Sequence, residues 1–196
     1  MTQVHEQRPA ARSALIALGA NIVSPYGPPE VTLHAALEEI AQLVGKVTGK
    51  SRFFRTPCFP AGAGPDYVNA AVALSTTLSA PAILSALHRI EANFGRERVQ
   101  RWGMRTLDLD LLALDTLVLP DAATHAAWRA LPPDLQKMRA PEELILPHPR
   151  LQDRAFVLVP LADVAPDWLH PILRQTVRQM RDACPAADLA EVVPFD

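Results

Sequence analysis

The 196-residue sequence has little of what marks several common classes of protein. Its two cysteines, Cys58 and Cys184, are too few for a disulfide framework, so a reducing compartment, the cytoplasm, is expected. Its 19 Lys and Arg residues nearly balance its 21 Asp and Glu residues, which argues against a basic nucleic-acid-binding surface. Apolar runs stay shorter than the roughly 20 residues of a membrane span, and the polar N-terminus lacks a signal-peptide pattern. A soluble cytoplasmic protein is expected.

Glycine is also scarce, with 8 residues against 19 prolines, which predicts rigid loops rather than flexible linkers. The length fits one domain, and 49% hydrophobic residues are enough for a full core. Residues 1–12 show no periodicity and are expected to form a flexible tail. Residues 13–196 are expected to form a single domain.

Hydrophobic patterns predict an alternation of strands and helices. Strands are expected at 13–19, 51–55, 67–77 and 107–114, and helices at 30–44 and 79–95. A short helix is possible within 120–143, residues 156–161 fit a strand or a buried turn, and 175–183 fit a closing helix. The order strand, helix, strand, strand, helix, strand matches a ferredoxin-like β-α-β-β-α-β core. We therefore predict an α+β fold, an antiparallel sheet with helices packed on it.

Two carboxylates, Asp108 and Asp110, stand two residues apart within an apolar run. On a strand they share one face, about 6.6 Å apart along the chain. Burying both is costly without a cation nearby, and such oxygen ligands suit Mg²⁺ that also binds substrate phosphates. A solvated acidic face is the alternative.

The preceding loop contains Arg96, Arg98, Arg101 and Arg105, offset only by Glu97. Guanidinium groups pair well with phosphate oxygens, so cations beside metal-binding carboxylates indicate a nucleotide polyphosphate. A solvated charge run paired with the two aspartates would explain the same pattern.

The segment 45–51, GKVTGKS, only superficially resembles a phosphate-binding P-loop. It has three residues between its glycines where the motif requires four, and a helix precedes it where a P-loop follows a strand. We therefore expect phosphate binding without a P-loop.

Four segments together resemble the 6-hydroxymethyl-7,8-dihydropterin pyrophosphokinase family of the folate pathway. They are ALGAN at 17–21, FRTP at 54–57 leading to PDYVNAAV at 65–72, RWGMRTLDLD at 101–110, and PHPR at 147–150 with RAF at 154–156. The third is highly specific, whereas the first alone would be weak.

This resemblance implies transfer of the pyrophosphoryl group of ATP to a pterin alcohol, with catalytic roles for Arg96, Arg105, Asp108 and Asp110. It implies that Asp108 and Asp110 bind two Mg²⁺ ions and that ATP contacts Glu91, Arg96, Arg105, Leu111 and His148. The implied pterin-binding residues, with Tyr67 and Phe156 sandwiching the ring, are Thr56, Pro57, Phe59, Tyr67, Asn69, Trp102, Asp108, Arg154 and Phe156. No membrane or nucleic-acid partner is implied, and a monomer is expected.

The sequence departs from the family pattern at Ala20, Cys58 and Met104, but none of these removes a charged site residue. The stretch 120–143 is some twenty residues longer than in short family members, and we expect an extended peripheral insertion. Two other functions remain open from the residues alone. A nucleotidyltransferase would release pyrophosphate instead of AMP, and a ferredoxin-like nucleotide- or RNA-binding module would not turn over ATP.

Overall fold

The computed structural model describes residues 10–58, 62, 64–95, 104–132, 135 and 138–195. Within these residues, a six-stranded antiparallel sheet runs in the order β5, β1, β4, β3, β6, with β2 also paired to β4. The strands are β1 (Arg12–Ala20), β2 (Lys46–Lys50), β3 (Phe54–Thr56), β4 (Tyr67–Thr76), β5 (Asp108–Leu114) and β6 (Val193–Pro194).

Two helices connect the strands of this sheet, α1 between β1 and β2 and α2 between β4 and β5. This connectivity, with β1 between β5 and β4, confirms the predicted α+β ferredoxin-like core. The helices are α1 (Pro29–Leu43), α2 (Ala80–Asn93), α3 (Ala122–Arg129), α4 (Ala155–Val164), α5 (Val177–Asp182) and α6 (Ala186–Ala190), with a 3₁₀ turn at Leu151–Asp153.

The two connecting helices form where periodicity and capping predict them. Leu33, Leu37 and Ile40 recur along one stripe of α1, and all three are buried. The hydroxyl of Ser79 accepts a 3.4 Å hydrogen bond from Ala82 N–H at the start of α2. This cap satisfies one of the N–H groups that a helix leaves free in its first turn.

The sheet is covered on both faces, because side chains alternate along its strands. In β4, Val68 and Val72 lie in the core shared with α1 and α2, whereas Ala71 and Ala73 lie in a second core shared with α4 and α5. Tyr67 and Asn69 belong to the alternation of Ala71 and therefore lie on this second face.

Of the strand predicted at 51–55, only Phe54 and Arg55 lie in a strand, β3, and a further strand, β2, precedes the predicted range. β2 covers Lys46–Lys50, and Ser51–Phe53 connects it to β3. The pairing of β2 with β4 shifts register between Val47 and Gly49, and its side chains alternate between exposed and half-buried. Such an irregular strand with a single large apolar residue gives little hydrophobic signal. The rejected P-loop segment thus contains a sheet strand.

The strand or buried turn predicted at 156–161 is wrong, since these residues lie in α4. The run is apolar throughout, so it has no period that distinguishes a buried helix from a strand, and Pro160 lies within it.

The first strand begins at Arg12, within the stretch that was expected to form a flexible tail. Arg12 Nε donates a 2.8 Å hydrogen bond to Asp115.

Among the described residues, no helix combines the length and apolar character needed to cross a bilayer.

Candidate active site

Two rows of paired residues cross β4, β1 and β5 at one end of the sheet. Gly19 of β1 lies opposite Asn69 of β4 on one side and opposite Asp108 of β5 on the other. One row further in, Ala17 lies opposite Asp110. Directly opposed residues share a face, so one sheet surface presents an amide and two carboxylates above residues with little or no side chain.

Gly19 leaves the middle of this surface open. A Cβ atom at this position would lie 3.0 Å from Asn69 Oδ1 and 3.7 Å from Cδ1 of Tyr67. The first distance is closer than ordinary van der Waals contact, so any larger residue would push against the Asn69 amide. The absent side chain therefore keeps the floor of the site accessible.

Each carboxylate of the pair has a guanidinium partner. Arg105 Nη1 bonds Asp108 Oδ1, and Arg154 Nη1 lies 3.6 Å from Asp110 Oδ2. The side chains of Asp108 and Asp110 are 27% and 36% exposed, so both carboxylates are partly buried beside their guanidinium partners and still reach the surface. Burial alone would lower the pKa of Arg105, but the charge and hydrogen bond of Asp108, together with the charges of Tyr67 and Asp110, raise it overall.

Backbone groups of β5, an edge strand of the described sheet, bind residues from elsewhere in the chain. The Leu109 N–H donates to Glu91 Oε1 at 2.8 Å, and Glu91 is only 1% exposed. The Leu112 carbonyl accepts a 2.8 Å hydrogen bond from the His148 N–H. Glu91 thus anchors β5 from α2, and the strand in turn fixes the backbone of His148.

His148 is held as a neutral imidazole with a defined tautomer. Its Nδ1 accepts a 3.1 Å hydrogen bond from the Arg150 N–H, so the ring proton lies on Nε2. Burial, followed by the positive charge of Arg154, lowers the pKa of His148 to about 3. Near neutral pH the side chain therefore offers one N–H donor without a charge.

The other side of the site joins β3 to β4. Asn69 Nδ2 donates a 2.7 Å hydrogen bond to Thr56 Oγ1, and Thr56 pairs with Tyr67. Phe156, in the first turn of α4, is 41% exposed, and the guanidinium carbon of Arg154 lies 5.7 Å from its ring centre. An exposed aromatic ring beside a row of polar groups suits a flat heterocycle.

Asn21, just beyond the end of β1, connects these two sides. Its Oδ1 accepts a 2.7 Å hydrogen bond from the Arg105 N–H, and its Nδ2 donates to the Pro65 carbonyl at 3.1 Å. The Asn21 N–H also donates to the Arg105 carbonyl at 3.0 Å, and the residue is 2% exposed. The role of Asn21 is not predictable from its place in the ALGAN segment, because Asn after a strand is a common turn residue and its distant partners leave no local signal.

A family model described as 7,8-dihydro-6-hydroxymethylpterin-pyrophosphokinase (HPPK) matches residues 15–166. The chain belongs to this family. It is 36% identical over 182 residues to the 2-amino-4-hydroxy-6-hydroxymethyldihydropteridine pyrophosphokinase of Synechocystis, covering 92% of this chain and 80% of that protein. It is 37% identical over 175 residues to the protein of that name from Haemophilus influenzae, covering 87% of this chain and 94% of the relative.

Solved structures similar to this HPPK chain include the HPPK-DHPS of Plasmodium falciparum. An A437G form with SDX-DHP matches with a TM-score of 0.65 at 15% identity, covering 91% of this chain. A triple mutant with SDX-DHP matches with a TM-score of 0.63 at 15% identity, covering 90% of this chain. This chain spans less than half of those proteins, 46% and 45%, and at this identity the likeness bears on the fold alone.

The HPPK fold brings most of the predicted site residues to one end of the sheet. Residues on or bordering the face just described are Thr56, Tyr67, Asn69, Arg105, Asp108, Asp110, His148, Arg154 and Phe156, and the exposed Pro57 follows β3. The Leu111 side chain instead lies in the core under α1 and α2, as does the buried Glu91 beneath β5. Phe59, Arg96 and Trp102 lie outside the described residues.

Proposed function

We infer that this chain transfers the pyrophosphoryl group of ATP to the hydroxymethyl group of 6-hydroxymethyl-7,8-dihydropterin, releasing AMP, in folate biosynthesis. The observation that carries this inference is the single sheet face on which two arginine-paired carboxylates adjoin an amide and an aromatic ring. Residues suited to bind a metal ion and phosphates thus lie next to residues suited to bind a heterocycle. Membership in the HPPK family gives the reaction, and ATP and the reduced pterin are the two substrates.

We propose that Asp108 and Asp110 hold two Mg²⁺ ions together with the phosphates of ATP. Within the described residues, no three His, Cys, Asp or Glu side chains cluster closely enough to hold a cation alone. This donor set fits Mg²⁺, which keeps few protein carboxylates and takes its other ligands from water and substrate phosphates. When bound, Mg²⁺ neutralises phosphate charge and orients the transferred group.

Arg105 would change its partner when ATP binds. In the free chain, Arg105 and Arg154 offset the carboxylate charges. Cations at the carboxylates would remove that need, and the guanidinium group of Arg105 would then bind triphosphate oxygens. Arg96 is proposed to contribute similarly, and the neutral His148 donates from Nε2 to a phosphate oxygen.

On the pterin side, we propose that Tyr67 and Phe156 stack on the two faces of the ring while Asn69 bonds its edge. The Asn69 NH₂ group already donates to Thr56, which fixes the amide and directs Oδ1 as an acceptor. Amino and ring N–H groups of a pterin match such an acceptor. Thr56, Pro57, Phe59, Trp102 and Arg154 complete the proposed pocket.

The proposed chemical step is an in-line attack of the hydroxymethyl oxygen on the β-phosphorus of ATP, with AMP as the leaving group. The residues contribute positioning and charge compensation, which account for most catalysis of phosphoryl transfer. We further propose that the protein acts as a monomer, and that it acts in the cytoplasm, where the thiols of Cys58 and Cys184 would stay reduced.

Product analysis tests this function. Protein, Mg-ATP and the reduced hydroxymethylpterin are incubated together, and the nucleotide products are separated by chromatography. One AMP should form for each pterin diphosphate, and no AMP should form without the pterin. Release of pyrophosphate with nucleotide attached to the pterin would instead indicate a nucleotidyltransferase, and absence of turnover would contradict the proposal.

A further inference from the structure

Helix α3 lies within the segment 120–143, and its polar contacts extend to the backbone around His148. Leu119, just before the segment, and Leu146, just after it, form an isolated pair with hydrogen bonds of 2.8 and 3.2 Å. Asp121 caps α3 by accepting bonds from Ala123 and Thr124 N–H. The segment thus begins with a capped helix, and the Leu119–Leu146 pair holds the start of this segment next to Pro147 and His148.

The first contact comes from His125, which is fully buried on α3. Its Nε2 lies 2.9 Å from the Pro147 carbonyl oxygen. A carbonyl can only accept, so Nε2 carries the proton and Nδ1 is left as an acceptor. His125 therefore holds the peptide immediately before His148.

The buried His170 lies beside His125. Its Nδ1 accepts from the Ile172 and Leu173 N–H groups, both at 3.2 Å, so its proton lies on Nε2. The rings of His125 and His170 meet edge to face with centres 5.9 Å apart. His125 Nδ1 and His170 Nε2 have no hydrogen-bond partner among the described residues, so the tautomer of His125 follows from its contact with the Pro147 carbonyl alone.

The second contact comes from Arg150, whose side chain is 12% exposed. Its guanidinium donates to three carbonyls at or just beyond the end of α3, those of Arg129 (3.2 Å), Trp128 (3.2 Å) and Leu131 (3.3 Å). Arg129 and Trp128 lie in the last turn of α3, where a helix leaves carbonyls without regular helical partners, and Leu131 lies two residues beyond the helix. The same residue donates its main-chain N–H to His148 Nδ1, so fixing Arg150 against α3 also fixes the His148 ring.

We propose that α3 is a positioning element for the active site, with His125 and Arg150 holding the backbone on both sides of His148 so that its Nε2–H faces the ATP phosphates. The contribution to ATP binding rests on the function proposed above. The contribution to the His148 ring does not, because it follows from the contacts of Pro147 and Arg150. In this account, the segment expected to be peripheral acts on catalysis indirectly.

The test compares variants that remove each contact with variants that retain part of it. His125→Phe keeps a ring but loses the donor to Pro147, whereas His125→Gln retains an N–H near the Nε2 position. Arg150→Met keeps much of the length but loses every guanidinium donor. Thr76→Ala is the control, because Thr76 is a buried residue that bonds the Val44 carbonyl and the Leu78 N–H at the far end of β4.

Nitrogen chemical shifts of the His148 ring test the positioning directly. The full-length protein should show His148 as the Nε2–H tautomer. In His125→Phe and Arg150→Met the signal should move toward a mixture of tautomers, with His125→Gln and Thr76→Ala like wild type. Unchanged His148 signals in both variants, with the fold retained, would overturn the proposal. If either His125→Phe or Arg150→Met does not fold, the His148 signals of the other variant decide whether the proposal holds.

Kinetics in a double-mutant cycle test the link to ATP. His125→Phe should raise the KM for ATP about fivefold, as expected for one lost hydrogen bond, and leave the pterin KM within twofold. In a His148→Ala background the same change should have no further effect on the ATP KM. An equal effect in both backgrounds would contradict action through His148. If His148→Ala itself leaves the ATP KM unchanged, the proposed phosphate contact fails while the tautomer measurement still decides the positioning.

Discussion

The side-chain oxygen of Asn21 accepts a 2.7 Å hydrogen bond from the main-chain N–H of Arg105, 84 residues further along the chain. Asn21 also bonds the carbonyl of Pro65, two residues before Tyr67. One buried amide therefore joins the arginine that pairs with Asp108 to the loop that leads into the aromatic side of the site.

Replacing Asn21 by Ala should impair catalysis more than its effect on stability explains. Asn21→Ala and the control Thr76→Ala should each lower the free energy of unfolding by about 1–3 kcal/mol, because each leaves buried backbone groups without a partner. Only Asn21→Ala should reduce kcat/KM, for both ATP and pterin. Steady-state kinetics and urea unfolding of the two variants make the comparison. Equal kcat/KM values in the two variants would mean that Asn21 is purely structural.

Gly19→Ala should raise the KM for the pterin. The new Cβ would lie 3.0 Å from Asn69 Oδ1, so the amide must shift away from the ring edge that it is proposed to bind. Gly49→Ala is the matched control, since a Cβ there would meet its nearest atom at 3.5 Å, an ordinary contact. Pterin KM measured for both variants should rise only in the first. A normal pterin KM in Gly19→Ala would contradict the proposed role of Asn69.

Loss of either stacking ring should weaken pterin binding selectively. Stacking on an aromatic side chain is worth roughly 1–3 kcal/mol per base, so Tyr67→Ala and Phe156→Ala should each lower pterin affinity by about five- to a hundredfold. ATP affinity should be nearly unchanged, and Tyr67→Phe should bind the pterin like wild type. Calorimetric titration measures both ligands. Full pterin affinity in both alanine variants would reject the sandwich.

The buried His170 should make the protein less stable in acid. Burial, followed by the repulsion that His125 would exert if both rings were protonated, lowers the pKa of His170 from 6.5 to about 4. Between these values the unfolded chain takes up a proton that the folded chain does not, so stability falls as pH decreases from about 6.5 to 4. The loss is about 1.4 kcal/mol per pH unit and about 3 kcal/mol in total.

His170→Asn should remove this part of the acid sensitivity, because the Asn oxygen retains an acceptor near the position of Nδ1 but does not titrate. Urea unfolding at pH 7, 5.5 and 4 gives the free energy of unfolding for both proteins. The variant should lose less stability between pH 7 and 4 than wild type. Parallel pH dependence of the two proteins would show that His170 titrates normally in the folded state.

The sequence predicts those parts of the fold in which local pattern and tertiary environment agree. β4 alternates clearly, and α2 combines a Ser79 cap with an apolar stripe, so both were predicted within two residues. β2 was missed because it is short and polar, and α4 because its run is uniformly apolar. The structure of β2 depends on its pairing with β4, and that of α4 on its packing against the sheet.

The same distinction applies to the candidate site. Asp108 and Asp110 can be identified from the sequence as candidate cation ligands, because they are close in sequence and flanked by apolar residues. The open position at Gly19 depends on pairing with strands that lie about 50 and 90 residues away in sequence. The contacts of α3 with Pro147 and Arg150 depend likewise on folding, since nothing local to residues 122–129 indicates their partners.

The role of the acidic pair is tested most directly by the rate of pterin-dependent AMP formation in Asp108→Asn and Asp110→Asn, measured over a range of Mg²⁺ concentrations. Both substitutions keep the side-chain shape and remove the charge that would hold the cation. Each variant should fold, as judged by circular dichroism, and form AMP at least about a hundredfold more slowly than wild type at every Mg²⁺ concentration. AMP formation near the wild-type rate in either folded variant would contradict the assignment of this carboxylate pair to pyrophosphoryl transfer.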